Sequence, residues 1–150
     1  MAEKKVAAFA DVLLGPLYGE SYDLLITESR LLLVHVSPFN MKWKPYDEIG
    51  RDLKIYDRES LEAFAAKEKS VSVPFAAIRE IGMKMSLMEE PRPCYLKVKY
   101  EREDRKTRKL KIMFLRPPGD QGMREFAMEL QTALEKALPP DIAAKGSWLF

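Results

Sequence analysis

The sequence predicts a mainly β domain with α structure, in which an antiparallel sheet is closed at its end by one C-terminal helix. Three runs with period-two character carry this prediction, over residues 71–86, 94–101 and 107–115. A stretch with apolar residues every three or four positions follows them and ends at Pro139, as is typical of an amphipathic helix. Together these features favour a helix packed on a sheet around one core.

Length and composition favour a single domain. A chain of 150 residues with 47% apolar residues supplies one hydrophobic core rather than two. We divide the chain into an N-terminal arm or short helix (1–19), the β domain (20–138) and an apolar tail (139–150).

The same composition bears on the protein's surroundings. No apolar run approaches the roughly 20 residues that cross a bilayer, and Asp11 interrupts the apolar part of the N-terminus, which argues against a secretory signal. The single cysteine, Cys94, fits a reducing compartment, and we interpret it as a small buried residue rather than a reactive thiol. We therefore expect a cytoplasmic protein. Few Asn and Gln beside 32% charged residues are typical of a thermophilic source.

The N-terminal segment has helical spacing. Apolar side chains recur over residues 4–14 at Val6, Phe9, Ala10 and Leu13. This pattern predicts a short helix that ends at Gly15-Pro16. Since its polar face carries few cations, a lid over the core is favoured over a helix on a membrane surface.

Two apolar runs, 21–27 and 31–37, flank the polar residues Glu28-Ser29-Arg30 and predict a tight hairpin. Both runs are almost continuously apolar, so both faces of these strands should be covered. His35, the only histidine, lies within the second run, and we interpret it as a packed strand residue rather than a catalytic one. Further along, Asp57 is the predicted N-cap of one inserted helix over 58–69.

A basic hairpin is the feature most suggestive of function. In the strands 94–101 and 107–115, Lys97, Lys99, Lys109 and Lys111 alternate with apolar residues and share one outward face. The candidate surface for an anionic partner has seven cations: Lys97, Lys99, Arg105, Lys106, Arg108, Lys109 and Lys111. They either keep the sheet soluble or bind an anionic membrane surface, an acidic protein or, least favoured, nucleic acid. Nucleic acid is disfavoured because aromatic stacking platforms are not interleaved with the cations.

The tail ends in three bulky apolar residues, Trp148, Leu149 and Phe150. They are the candidate apolar contact, either with the domain itself or with a neighbouring chain.

Two segments carry a family resemblance. Residues 25–34 (LITESRLLLV) and 73–81 (VPFAAIREI), followed by two strands and a terminal helix, resemble the pleckstrin-homology-like superfold. The similarity covers roughly 20–138 and is greatest to the GRAM and bacterial or archaeal PH-like branches. The resemblance implies a bent antiparallel barrel of about seven strands, plugged at one open end by the last helix. It also implies binding of lipid headgroups, peptides or proteins, and rarely catalysis. Phosphoinositide-binding members carry a basic cluster on the first hairpin, where this chain has only Arg30 beside Glu28.

The sequence lacks the common motifs of catalytic sites. It contains no glycine-rich phosphate loop, no His/Cys cluster with zinc spacing and no nucleophile–base arrangement. We therefore expect no enzyme activity, no cofactor, no metal and no small-molecule substrate. The favoured function is a PH-like binding or assembly module that recognises a protein partner, possibly a second copy of itself. The alternative is a peripheral binder of anionic membranes through residues 97–111.

Overall fold

The computed structural model describes residues 3–15, 20–38, 55–58, 60–85, 94–114 and 122–149. The strands are β1 (Lys5–Leu14), β2 (Glu20–Thr27), β3 (Arg30–Pro38), β4 (Val71–Pro74), β5 (Ile78–Met85), β6 (Cys94–Glu101) and β7 (Thr107–Phe114). The α-helices are α1 (Ile55–Arg58), α2 (Leu61–Ala65), α3 (Met123–Ala137) and α4 (Pro140–Ala144), and Phe75–Ala77 forms one 3-10 turn. The chain is therefore mainly β with α, as the sequence predicts.

The strands form one antiparallel sheet in the order β4-β3-β2-β1-β7-β6-β5. It consists of two meanders, β1 to β4 and β5 to β7, which are joined where Leu13 pairs with Met113 and Leu14 with Ile112. The edge strands, β4 and β5, are separated in sequence only by the 3-10 turn. The sheet must therefore bend to bring its two edges together at that turn, although β4 and β5 do not pair with each other within the described ranges.

The predicted hairpin of β2 and β3 is confirmed, and its turn is held by one threonine. Thr27 Oγ1 accepts hydrogen bonds from the backbone N–H groups of Ser29 (3.2 Å) and Arg30 (3.0 Å). Bonds of this kind stabilise a turn by satisfying backbone donors that have no strand partner. The turn of the hairpin is thus stabilised by the hydroxyl of a residue within the hairpin.

Both faces of this hairpin are buried, as its continuous apolar character predicts. On one face Leu24, Ile26, Leu31 and Leu33 join the main core. On the other face Leu25, Leu32 and Val34 pack against the side chains of α1 and α2, namely Tyr56, Leu61 and Phe64. Alternation along each strand sends successive side chains to opposite layers, so the two cores share one sheet.

Helix α3 covers the main core. Its buried apolar side chains include Phe126, Leu130 and Leu134, and Leu138 at the C-cap continues this stripe at the predicted spacing. Phe126 forms an edge-to-face contact with Phe9 of β1, with ring centroids 5.5 Å apart, and lies 5.4 Å from the ring of Phe114 in β7. Burial of this stripe removes apolar area from water, and this stabilises the packing of the helix on the sheet by about 25 cal/mol per Å² of buried area.

The predicted N-terminal helix is wrong, because residues 5–14 form a central strand. β1 pairs with β2 and β7, so the N-terminal segment belongs to the sheet and is not an arm outside the domain. The register shifts between Phe9 and Val12, both of which are buried. A bulge inserts an extra residue and breaks strict alternation, so buried residues three apart in this strand imitate helical periodicity.

The single inserted helix over 58–69 is also wrong, because two short helices occupy this region. Asp57 lies within α1 rather than at an N-cap, and Ser60 caps α2 by accepting a hydrogen bond from the N–H of Glu62 (3.2 Å). After α2 the chain turns through Lys69, whose φ of 66° is left-handed. The Ser70 hydroxyl also donates to the carbonyl of Phe64 (3.0 Å), so the helical pattern ends early.

Candidate anion-binding face

The four lysines of β6 and β7 lie side by side on one face of the sheet. Lys97 is directly opposite Lys111, and Lys99 is directly opposite Lys109. Val98 and Ile112, which alternate with these lysines, are buried in the main core. The shared outward face that the sequence predicts is therefore confirmed.

Two further lysines extend this surface. Lys84 of β5 pairs with Tyr95 of β6, and Lys145 follows α4. All six line an open depression of about 950 Å³ over β5, β6 and β7. We call this surface the lysine face, and its members are Lys84, Lys97, Lys99, Lys109, Lys111 and Lys145.

The lysine face has almost no internal neutralisation. Among the described residues that line the depression, only Glu80 is acidic, so their charges sum to +5 in a chain whose total is +2. In the part of the chain that the structure describes, no salt bridge links any of the six ammonium groups to a carboxylate. The rest of the chain therefore sums to −3, so the lysine face differs in sign from the remainder of the sequence.

One lysine is held down on the sheet by an aromatic ring. The Nζ atom of Lys111 lies 4.4 Å from the ring centroid of Tyr95, a cation–π contact. Such contacts contribute about 0.5–1 kcal/mol at exposed sites. Because Tyr95 is itself buried, it is not available as a platform on which a nucleic-acid base could stack.

The C-terminal segment forms one wall of the depression. The N–H of Ser147 donates to the carbonyl of Ile81 (3.1 Å), and the N–H of Met83 donates to the carbonyl of Ser147 (2.8 Å). Gly82 lies between Ile81 and Met83 in β5, and a Cβ atom at this position would be 3.3 Å from the Cβ of Ser147. A glycine at this position therefore lets the segment approach the edge of β5.

Trp148 and Leu149, two of the predicted apolar contact residues, are docked on their own domain. Both are half-buried against the main core. The indole N–H of Trp148 donates to the carbonyl of Ala143 (2.8 Å), and the N–H of Leu149 donates to Oε1 of Gln131 (3.1 Å). Phe150, the third residue, lies outside the described residues.

The structure separates the seven predicted cations into two groups. Lys97, Lys99, Lys109 and Lys111 line the depression, whereas Arg105, Lys106 and Arg108 do not. Arg105 and Lys106 belong to the turn between β6 and β7, where Arg105 has a φ of 64°. Arg108 pairs with Tyr100, so its side chain leaves the strand on the face opposite to Lys109.

Sequence reasoning missed Lys84 and Lys145. Lys84 occupies an outward position of β5, and the alternation of Ile81, Met83 and Met85 could have revealed it. Lys145 had no local signal, because only the docking of the C-terminal segment on β5 brings it to the face.

Two other candidates of the sequence have structural roles. Cys94 is buried, and burial raises the pKa of its thiol to about 12, which makes it a poor nucleophile. His35 packs edge-on against Tyr22, with ring centroids 5.3 Å apart, and its Nε2 atom lies 3.0 Å from Oε2 of Glu20.

Two further features were compared with the described ranges, metal-type side-chain clusters and membrane-spanning helices. They contain no group of three or more His, Cys, Asp and Glu side chains that could hold a metal ion. None of the helices described is long and apolar enough to cross a bilayer. Comparison of the chain with protein-family models, with curated proteins and with solved structures finds no match.

Proposed function

We propose that this chain is a non-enzymatic, PH-like binding module of the cytoplasm, which recognises an acidic protein partner through the lysine face. The observation that carries the proposal is the set of six lysines in one depression, whose described lining residues have charges that sum to +5. Opposite potentials across an interface steer encounter and select the partner. The natural ligand of such a surface is therefore anionic.

The PH-like part of the proposal is supported by the arrangement of the sheet. Seven antiparallel strands in two meanders, with the last long helix packed over the core, agree with what the sequence resemblance implies. A fold does not determine function, so the proposed ligand class rests on the lysine face and not on the fold.

The pattern of charges supports binding of an anion over solubility alone. Like charges directly opposite each other in an antiparallel pair destabilise the sheet, whereas opposite charges stabilise it. A surface that needed only to be soluble could alternate lysine and glutamate across β6 and β7. The two facing lysine pairs instead create repulsion that a bound anion relieves, and only Lys99 of these four has a carboxylate opposite it, Glu80 of β5, within the described residues.

An anionic membrane surface is the second candidate. Each cation near an anionic bilayer contributes about 1 kcal/mol, so six lysines would support salt-sensitive docking. Two observations favour a protein instead. The face is a depression with a wall at Ser147 rather than a protruding surface. The exposed large apolar residue of the described chain, Met128, lies on α3, which covers the opposite face of the sheet. It could therefore not enter a bilayer that the lysine face contacts.

Self-association remains a further form of the protein-binding proposal. Because Trp148 and Leu149 are half-buried on their own domain, they offer a second copy little apolar area. Among the described residues, the lysine face is therefore a better candidate contact than the tail.

The test uses a charge-reversed protein and a matched control. Binding of poly-glutamate is measured by calorimetry for the wild type, for Lys97→Glu/Lys111→Glu and for Lys67→Glu/Lys136→Glu. Lys67 and Lys136 are exposed and lie outside the depression. The control also replaces two lysines by glutamates, so it has the same net charge as Lys97→Glu/Lys111→Glu. We expect binding by the wild type and the control and its loss in the first variant.

Two results would reject the proposal. One is equal loss of binding in both variants, since that would show a response to net charge alone. The other is binding that survives high salt, because contacts between exposed charges are screened. Co-sedimentation with anionic and neutral vesicles separates the membrane alternative from the protein-binding proposal.

A further inference from the structure

The lysine face has a regular geometry that restricts what can lie on it. Its lysines form rows across the sheet, one with Lys97 opposite Lys111 and the next with Lys99 opposite Lys109. Alternate residues of a strand are about 6.8 Å apart, since each residue rises about 3.4 Å. Within a row the Cβ atoms are about 5 Å apart. The charges thus repeat along the strand direction at the spacing of alternate residues in any extended chain.

The depression is also bounded on two sides. On the β5 side the C-terminal segment lies against Gly82 through Ser147. On the β7 side the described lining ends at Gly15, which follows β1 and whose N–H donates to the carbonyl of Lys111 (2.8 Å). Both boundaries flank strands, so the space between them runs parallel to β6 and β7.

We infer that the partner presents an extended segment with Asp or Glu at every second position, which lies along β6 and β7 with its carboxylates towards the lysine rows. This inference rests on the proposed function and specifies the form of the acidic partner. Alternate side chains of an extended segment point to the same side. Every acid of such a segment therefore faces the sheet, while the intervening residues face solvent.

The physics of acidic segments favours the extended form over a helix. Like charges at positions i and i+4 destabilise a helix, and charged segments repel themselves and extend in solution. A segment with enough carboxylates to balance a charge of +5 is therefore already close to the conformation that the face accepts. It pays less conformational entropy on binding than a segment that must be refolded.

Two peptides of identical composition test the inference. The first alternates Glu and Ser, and the second has the same Glu residues in one block followed by the Ser residues. On an extended block half of the acids face away from the sheet, so fewer of them reach lysines. Because exposed ion pairs each contribute about 0.2–1 kcal/mol, we expect the alternating peptide to bind about fivefold more tightly. A third peptide, with Glu at every fourth position of an alanine-rich helix, probes the helical alternative.

The outcomes separate this inference from the proposed function. Tighter binding of the alternating peptide, lost in Lys97→Glu/Lys111→Glu and kept in Lys67→Glu/Lys136→Glu, supports both. Equal binding of the alternating and block peptides, or tighter binding of the helical peptide, overturns the inference and leaves the proposed function intact. If no peptide binds while anionic vesicles or a single-stranded oligonucleotide do, both are overturned.

Discussion

Lys99 and Lys109 lie directly opposite one another across β6 and β7, and neither forms a salt bridge with a carboxylate of the described chain. Replacing Lys109 by glutamate converts a repulsive cross-strand pair into an attractive one. We expect Lys109→Glu to raise the free energy of unfolding by about 0.2–1 kcal/mol, measured by urea denaturation. The same change should weaken binding of acidic peptides, since it removes a cation from the lysine face.

Lys109→Gln is the control for this prediction. It removes the repulsion without adding an attraction, so its stability should lie between those of the wild type and Lys109→Glu. If Lys109→Glu were less stable than the wild type, the repulsion between Lys99 and Lys109 could not be a loss of stability that is retained because the lysines bind a partner.

The docked tail gives a second prediction. Trp148 packs on the main core and donates its indole N–H to Ala143. Trp148→Phe keeps most of the packing and loses the hydrogen bond, and should cost about 1 kcal/mol of unfolding free energy. Trp148→Ala should cost about 2 kcal/mol or more, because a large half-buried side chain is also removed. Urea denaturation measures both variants, and a neutral alanine variant would show that the tail does not stabilise the domain.

The lowered pKa of Glu3 leads us to predict that the fold loses stability in acid. Burial raises the pKa of its carboxyl, but hydrogen bonds from Ser29, Thr27 and Arg30 and the charge of Arg30 outweigh it, so the pKa ends below its ordinary value of 4.5. A lowered pKa in the folded state stabilises the fold above pH 4.5, and this contribution is lost as the pH falls through the folded value. In Glu3→Gln, the decline of stability below pH 4.5 should therefore be shallower.

The control for Glu3 is a second carboxylate on the same arginine. Glu62 also contacts Arg30, at 2.8 Å, but its side chain is 79% exposed against 15% for Glu3. Exposed ion pairs contribute little to the free energy of unfolding, so Glu62→Gln should leave the loss of stability below pH 4.5 nearly unchanged. Equal effects of the two variants would refute the assignment of the acid response to Glu3.

Cys94 gives a prediction about reactivity. Since its thiol is buried and has a pKa of about 12, iodoacetamide should not label it in the native protein at neutral pH. Labelling, followed by mass spectrometry, should be limited by the small population of opened or unfolded molecules and become fast in denaturant. Rapid labelling under native conditions would show that the end of β6 opens locally.

Local patterns were sufficient to predict the strands whose side chains alternate strictly. The hairpin of β6 and β7 was predicted with its face of four lysines, because Val98 and Ile112 alternate with the cations. The strand β1 was not recognised, because its two register shifts place Val6, Phe9 and Val12 against the main core at a spacing of three, which resembles the period of a helix.

The candidate site was only partly predictable for a different reason. Lys145 and Ser147 reach the lysine face through pairing with Gly82, more than sixty residues earlier in the chain. The packing of Trp148 on the core holds them there, and no local pattern encodes such a contact. Conversely, Arg105, Lys106 and Arg108 are close in sequence to the face but leave the hairpin at its turn or on its other side.

The way the two meanders are joined has a consequence for how the protein folds. Most neighbouring strands within a meander are close in sequence and can pair early, with β3 and β4, which are separated by residues 39–70, as the exception. The junction instead brings together Leu13 and Met113, which are 100 residues apart in sequence. Closing so long a loop costs entropy before any contact compensates for it, which slows folding. The β1–β7 seam should therefore form late in folding, and it should be where partly folded chains expose strand edges that invite aggregation.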